Sequence, residues 1–251
     1  MGVPGIMDYC EGGSAMRGVF ITGSDTGVGK TAIGAALAWR LSREGLVVRP
    51  RKPVESGCVD REGGAHSGDR ETYHAAVDGR EPLARIGHYR FRAPLSPERA
   101  AALEGRALRL DELVAACREG VDAPDFLLVE GAGGFYSPLT ADALNADLAV
   151  ALGLPVLVVS ADRLGAIHQT LLTVEAVIGR GLALAGVVLN QTAPGADPGM
   201  DNGADVARWL GRDPLVIRHH DEANGTPAWR AIAPFVTKIA ATLAAGSAHE
   251  W

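Results

Sequence analysis

Short runs in which every residue is apolar recur along the chain, separated by longer stretches whose apolar residues return every three or four positions. The runs Val19 to Thr22, Leu46 to Pro50, Phe126 to Val129, Pro155 to Ser160 and Ala185 to Asn190 predict strands. Phe-Leu-Leu-Val and Val-Leu-Val-Val are continuous rather than alternating, the pattern of strands covered on both faces in a parallel sheet. The amphipathic stretches predict helices over 30–44, 97–104, 110–120, 142–152, 167–180, 202–211 and 228–245. Strand and helix in alternation predict a doubly wound α/β fold: a mainly parallel sheet with helices on both faces. Residues 1–16 show no periodicity and none of the features of a signal peptide, so a disordered leader is expected there, with Met16 a candidate alternative start. The rest, 17–251, reads as one α/β domain, with its most turn-like interior segment at 192–204.

Composition narrows the classes. With 24 Lys+Arg against 30 Asp+Glu among 251 residues, the chain carries a formal charge of -6 and has no long basic run. Nucleic acid and anionic membranes are therefore not expected partners, and no apolar run approaches the roughly 20 residues that span a bilayer. Cys10, Cys58 and Cys117 are odd in number and far apart, which argues against a disulfide framework or a zinc site and for a cytoplasmic protein. Of the 24 basic residues only Lys30, Lys52 and Lys238 are lysine. Where arginine is used almost everywhere else, each lysine is a candidate for a place that needs a compact ammonium rather than a planar fork, Lys30 and Lys52 ahead of Lys238.

Two of those lysines stand in motifs. Val19-Phe20-Ile21-Thr22 runs into Gly23-Ser24-Asp25-Thr26-Gly27-Val28-Gly29-Lys30-Thr31, a strand, a glycine-rich loop and a helix opening on Gly-Lys-Thr. This is the P-loop arrangement, in which backbone N–H groups and a helix N-terminus cradle phosphate oxygens. Lys30 is then placed for the β/γ-phosphates, and the Thr31 hydroxyl for magnesium. The opening glycine, Gly23, lies one position earlier than in the strict pattern, with Ser24 in the usual slot. A second apolar strand ends in Glu130-Gly131-Ala132-Gly133-Gly134. An acid at the carboxyl end of a parallel strand shares the sheet edge with the P-loop, which makes Glu130 a second magnesium ligand candidate, and the glycines admit close approach of backbone to phosphate or substrate.

With Arg51-Lys52-Pro53-Val54-Glu55-Ser56-Gly57 between these motifs, the sequence resembles the dethiobiotin synthetase family, ATP-dependent enzymes of biotin biosynthesis with a P-loop NTPase fold. The resemblance runs from about Arg17 to Asn190. The family's Gly-x-Asp-Thr-x-Val-Gly-Lys-Thr, Lys-Pro-Val-x-Ser-Gly and Val-Glu-Gly-Ala-Gly-Gly are met at residues 23–31, 52–57 and 129–134; Pro94-x-Ser96-Pro97 and Leu164-Gly165-Ala166-Ile167 match two further motifs. It implies carboxylation and ring closure of 7,8-diaminopelargonate with carbon dioxide, ATP as co-substrate and Mg2+ as cofactor, through a carbamate and a carbamic-phosphoric anhydride. It implies Lys30 and Lys52 as catalytic residues, with Lys52 and Ser56 at the carbamate. ATP is expected at Asp25 to Thr31, Asp69, Glu130 to Gly133, Asn190 and Gln191, with Asn190 at the adenine and Asp69 joining Thr31 and Glu130 on the metal. Gly165, Ala166, Ile167 and His168 are expected at the substrate carboxylate, and the family implies a homodimer with sites near the interface. In this chain His168-Gln169 stands where the family has Asn-His, and its late adenine segment is not recognisable in 214–228.

Other readings share the P-loop. Partitioning ATPases of the same superfamily carry a signature lysine five residues before the Gly-Lys-Thr lysine, where this chain has Asp25. Related amide ligases acting on cobalamin precursors add a glutaminase domain for which 251 residues leave no room. A paralogue of altered substrate is the remaining alternative.

Overall fold

The computed structural model describes residues 16–61, 64–66, 68–195, 199–220 and 227–246; the expected leader lies, but for Met16, outside them. Strand β1 (Gly18–Gly23) leads through α1 (Lys30–Arg43) to β2 (Val48–Arg51). A peripheral segment follows: β3 (Val54–Ser56), β4 (Val59–Arg61), β5 (Gly64–His66), α2 (Gly68–Ala76), α3 (Leu83–Ile86), β6 (Tyr89–Phe91), α4 (Pro97–Leu103) and α5 (Leu110–Arg118). The chain re-enters the sheet at β7 (Phe126–Gly134) and continues through α6 (Asn145–Leu152), β8 (Val156–Ala161), α7 (Ala166–Gly179), β9 (Leu184–Asn190), α8 (Asn202–Leu210), β10 (Leu215–Ile217), α9 (Ala228–Ile232) and α10 (Thr237–Ala244).

The main sheet has six strands in the order β10-β9-β8-β1-β7-β2, every neighbouring pair parallel. Strands β3 and β6 form a small parallel pair, β4 and β5 an antiparallel one. Successive side chains of a strand point to opposite faces, and β1 divides its own accordingly. Val19 and Ile21 join Ile33, Leu37 and Leu41 of α1 and the α9–α10 residues in one core layer. Phe20 joins Leu113 of α5, Leu148 of α6 and Val174 of α7 in the other. All six residues of β1 and of β8 are buried, which is why their sequences show no alternation. Truncating a central member of either layer, such as Leu37→Ala, removes both transfer energy and packing, at a cost of about 2–5 kcal/mol.

The five predicted strands are present, the one read over Leu46 to Pro50 shifted to Val48–Arg51. The stretch 228–245, read as one helix, is two: Pro234 has no N–H for a helical bond, and α9 and α10 lie on either side of it. Among the described residues no helix is long and apolar enough to cross a membrane.

Candidate active site

The carboxyl ends of β1, β2 and β7 face one cavity of about 580 Å³, lined by Thr26, Gly27, Gly29, Lys30, Thr31, Lys52, Ser56, Asp69, Glu130, Ala132 and Gly133 together with Glu55, residues 94–97 and Ser137. Eleven of the residues expected from sequence therefore meet here. The P-loop is shaped by Gly29, whose φ of 92° is left-handed and whose absent side chain leaves room for the Asn190 amide. That amide donates to the Val28 carbonyl at 3.0 Å, so Asn190 braces the loop from the end of β9 with its nitrogen, while its Oδ1 is not used in that bond. Lys30 opens α1, is only 6% exposed and donates to the Asp25 carbonyl at 3.0 Å. Burial lowers its pKa to about 8, partly offset by the Glu130 carboxylate; an anion seated in the loop would favour the charged form.

Lys52 follows β2 and is 4% exposed. Its ammonium bonds the Glu130 Oε1, lies 3.0 Å from the Asp69 Oδ2 and donates to the Gly131 carbonyl at 3.3 Å. Burial alone would lower its pKa, but the two carboxylates overcome that and hold it above the ordinary lysine range. In the same way Lys52 holds Asp69 below its usual range against the opposing effect of burial. Lys238, the third lysine, is exposed on α10. The scarcity of lysine thus pointed to the two that are buried together.

Glu130 is 1% exposed and gathers the site. Its Oε1 also accepts the Thr31 hydroxyl at 3.1 Å, and its Oε2 accepts the Tyr73 hydroxyl at 2.8 Å. Thr31, Asp69 and Glu130 thus present a hydroxyl and two carboxylates around one cationic group, a hard-oxygen donor set that suits magnesium. Among the described residues no cluster of three His, Cys, Asp or Glu side chains could hold a metal by itself.

Sequence reasoning did not find several supports. Arg51 is 1% exposed, and its guanidinium reaches Glu81 Oε1 at 2.7 Å and the carbonyls of Pro50, Cys117 and Glu119 at 2.9, 3.2 and 2.7 Å. A guanidinium so fully bonded fixes the end of β2, the residue before Lys52. Asn145 accepts the Ala132 N–H at 3.0 Å and returns a bond to the Ala132 carbonyl at 2.7 Å, holding the glycine-rich turn after Glu130. Its place at the start of an apolar helix is the one local signal for it.

The structure does not bring every expected residue to the cavity wall. Asp25 is exposed, its side chain 3.6 Å from Arg163. Val28 is buried and Gly131 contributes its carbonyl. Gln191 turns away to Asp162 at 3.2 Å. Gly165, Ala166, Ile167 and His168 form the start of α7, with His168 exposed, and none of them lines this cavity.

The chain matches a family model described as AAA domain (AAA_26) over residues 17–223. It is 48% identical over 203 residues to the ATP-dependent dethiobiotin synthetase BioD of Anaeromyxobacter dehalogenans (strain 2CP-1), covering 80% of this chain and 89% of that protein. To the protein of the same name from Anaeromyxobacter sp. (strain Fw109-5) it is 47% identical over 206 residues, covering 82% and 91%. Among solved structures, a ParA family ATPase from Chlorobium tepidum TLS superposes with a TM-score of 0.52 at 14% identity, covering 91% of this chain and 99% of that one. The MinC:MinD cell division protein complex of Aquifex aeolicus gives 0.52 at 14%, covering 91% and 96%. At that identity the likeness is one of fold.

Proposed function

Because the chain belongs to the ATP-dependent dethiobiotin synthetase family, an ATP-dependent ligase that forms a carbon–nitrogen bond in biotin synthesis, we propose that it carries out the whole of that reaction on 7,8-diaminopelargonate at the cavity between β1, β2 and β7. One amine of the substrate attacks carbon dioxide and loses a proton, giving a carbamate. A carbamate oxygen attacks the γ-phosphorus of ATP and ADP leaves. The second amine then attacks the carbamoyl carbon, a C–N bond closes the ring, the C–O bond breaks and phosphate departs.

The observation that carries this reading is the burial of Lys52 beside Glu130 and Asp69, on the wall of the cavity that also holds Lys30 and the P-loop. Bringing an anionic carbamate to an anionic phosphate requires fixed positive charge in a water-poor place. Lys30 sits with the P-loop N–H groups, where it holds the transferring phosphoryl group. Lys52 enters from the β2 side, where it meets the carbamate, with Ser56 available for a hydrogen bond. Magnesium held by Thr31, Asp69 and Glu130 neutralises phosphate charge when bound.

The start of α7 belongs to the same proposal. Gly165 precedes the helix with no side-chain cap, and the first turn carries no acid, so the end of this 14-residue helix suits an anion. Since it does not line its own cavity, the substrate carboxylate is proposed to be held there by the second chain of a homodimer, with His168 in contact. The use of ATP in biosynthesis supports a cytoplasmic location as part of the same proposal. The partitioning-ATPase reading lacks its lysine: the slot is Asp25, exposed and facing Arg163.

The test is mass-spectrometric detection of dethiobiotin from diaminopelargonate, bicarbonate, magnesium and ATP, without glutamine. Nucleotide hydrolysis with no dethiobiotin would overturn the proposal.

A further inference from the structure

Glu130 is bonded on both oxygens, and one of those bonds comes from a residue with no part in the reaction above. Tyr73 lies in α2, fully buried, in the core layer built on α1. Its hydroxyl donates to Glu130 Oε2 at 2.8 Å, while Oε1 takes Thr31 and Lys52. Asp69 stands four residues earlier in the same helix, so one face of α2 supplies both the carboxylate that meets Lys52 and the hydroxyl that meets Glu130.

A second feature depends on that hydroxyl. Gly34 lies inside α1, where glycine is unfavourable. A Cβ at this position would overlap the Tyr73 hydroxyl and come within 2.9 Å of the ring carbon that bears it and 3.0 Å of Ile21 Cδ1. The missing side chain is the space through which the tyrosine reaches Glu130.

We propose that Tyr73 is a positioning residue for Glu130: its hydroxyl secures Oε2, so that Oε1 alone is presented to Thr31, Lys52 and the metal. A buried carboxylate with a free second oxygen turns to satisfy it, and the nearest strong donor is the Lys52 ammonium. Gripped by both oxygens, Lys52 would compete with a metal for Glu130 and be drawn from the carbamate side. The tyrosine bond removes one oxygen from that competition.

This rests on the reading of Glu130 as a metal ligand, and the experiment separates the two. Mn2+ is titrated by electron paramagnetic resonance into the full chain with a non-hydrolysable ATP analogue, so no turnover enters the reading. The set is the parent, Tyr73→Phe, Gly34→Ala and Glu130→Gln, with thermal melts on each. Tyr73→Phe keeps the ring and is expected to melt cooperatively while binding Mn2+ about tenfold more weakly, equivalent to about 1.4 kcal/mol. Gly34→Ala, which displaces the hydroxyl without removing it, is expected to show the same loss. If it does not fold, Tyr73→Phe decides alone. A ring that only fills space would leave the affinity of Tyr73→Phe at the parent value. That result, or tighter binding, with Glu130→Gln weakened, overturns the role of Tyr73 alone. An unaffected Glu130→Gln overturns the metal reading and this proposal with it.

Discussion

Replacing Lys52 by glutamine removes the ammonium that bridges two carboxylates, Glu130 on β7 and Asp69 on α2. The ammonium lies 3.0 Å from Asp69 and in contact with Glu130. At an effective dielectric of about 20, one such pair at that distance is worth about 5.5 kcal/mol, from which the cost of dehydrating the ammonium is subtracted. Removing one partner of a buried pair leaves a net loss of about 3–5 kcal/mol. The glutamine amide still donates to one carboxylate, which puts Lys52→Gln near the lower end, about 3 kcal/mol. For a chain of this size each kcal/mol shifts Tm by about 2–4 °C, so the variant is expected to melt about 6–12 °C below the parent. Saturating magnesium and ATP should raise both melting temperatures about equally and leave the gap open, because a ligand that parent and variant bind with similar affinity stabilises both alike. Turnover should stay low even then, because the carbamate still lacks its ammonium, while ATP binding is nearly normal. Melting curves with and without magnesium and ATP, alongside steady-state rates, read all three. A parent-like Tm without nucleotide, or a deficit that nucleotide closes, would refute the reasoning.

Lys30→Arg keeps the charge but replaces a compact ammonium by a planar fork in a buried slot, and kcat/KM should fall roughly a hundredfold in a coupled ADP assay. His168→Leu should raise KM for the diamine about tenfold at constant kcat, with His168→Asn nearer the parent, since a contact to a non-reacting tail acts equally in ground and transition states; equal KM values in all three remove His168 from the site. Asp147 accepts the Leu144 N–H at 2.7 Å at the start of α6 and pairs with Arg180 at 2.6 Å, and these contacts, the backbone bond first, hold it below its usual range. Asp147→Asn keeps an acceptor for the Leu144 N–H but loses the charge at the helix start and the Arg180 pair, and should lower stability by about 0.5–1 kcal/mol near neutral pH. Because the folded pKa is depressed, that contribution is present above the ordinary aspartate range and fades as pH falls through the folded value, so the melting curves of parent and variant should converge in acid.

What the sequence made legible follows from how local each signal is. The P-loop, the β7 strand with Glu130 and the Lys52 motif each lie within about ten residues, and continuous apolar runs marked both-face burial in β1, β7 and β8. Helix α2 was harder: in Gly68–Ala76 only Tyr73 and Ala76 are buried, too few to set a period. Strands β3, β4, β5, β6 and β10 have three residues each and owe their form to their neighbours. The contacts that make the site, Lys52 to Glu130 across 78 positions and Thr31 to Glu130 across 99, have no local trace. Tyr73 carried none of the marks of a motif; only the fold puts its hydroxyl on Glu130 through the gap at Gly34.

The central claim is that a carbamate oxygen, not water, attacks the γ-phosphate in the cavity where Lys30 and Lys52 are buried. Turnover with diaminopelargonate, magnesium, ATP and bicarbonate labelled with heavy oxygen, followed by mass analysis of both products, tests it. The account predicts one dethiobiotin formed per inorganic phosphate, with that phosphate carrying one heavy oxygen from the bicarbonate. Unlabelled phosphate, released with or without dethiobiotin, would contradict it.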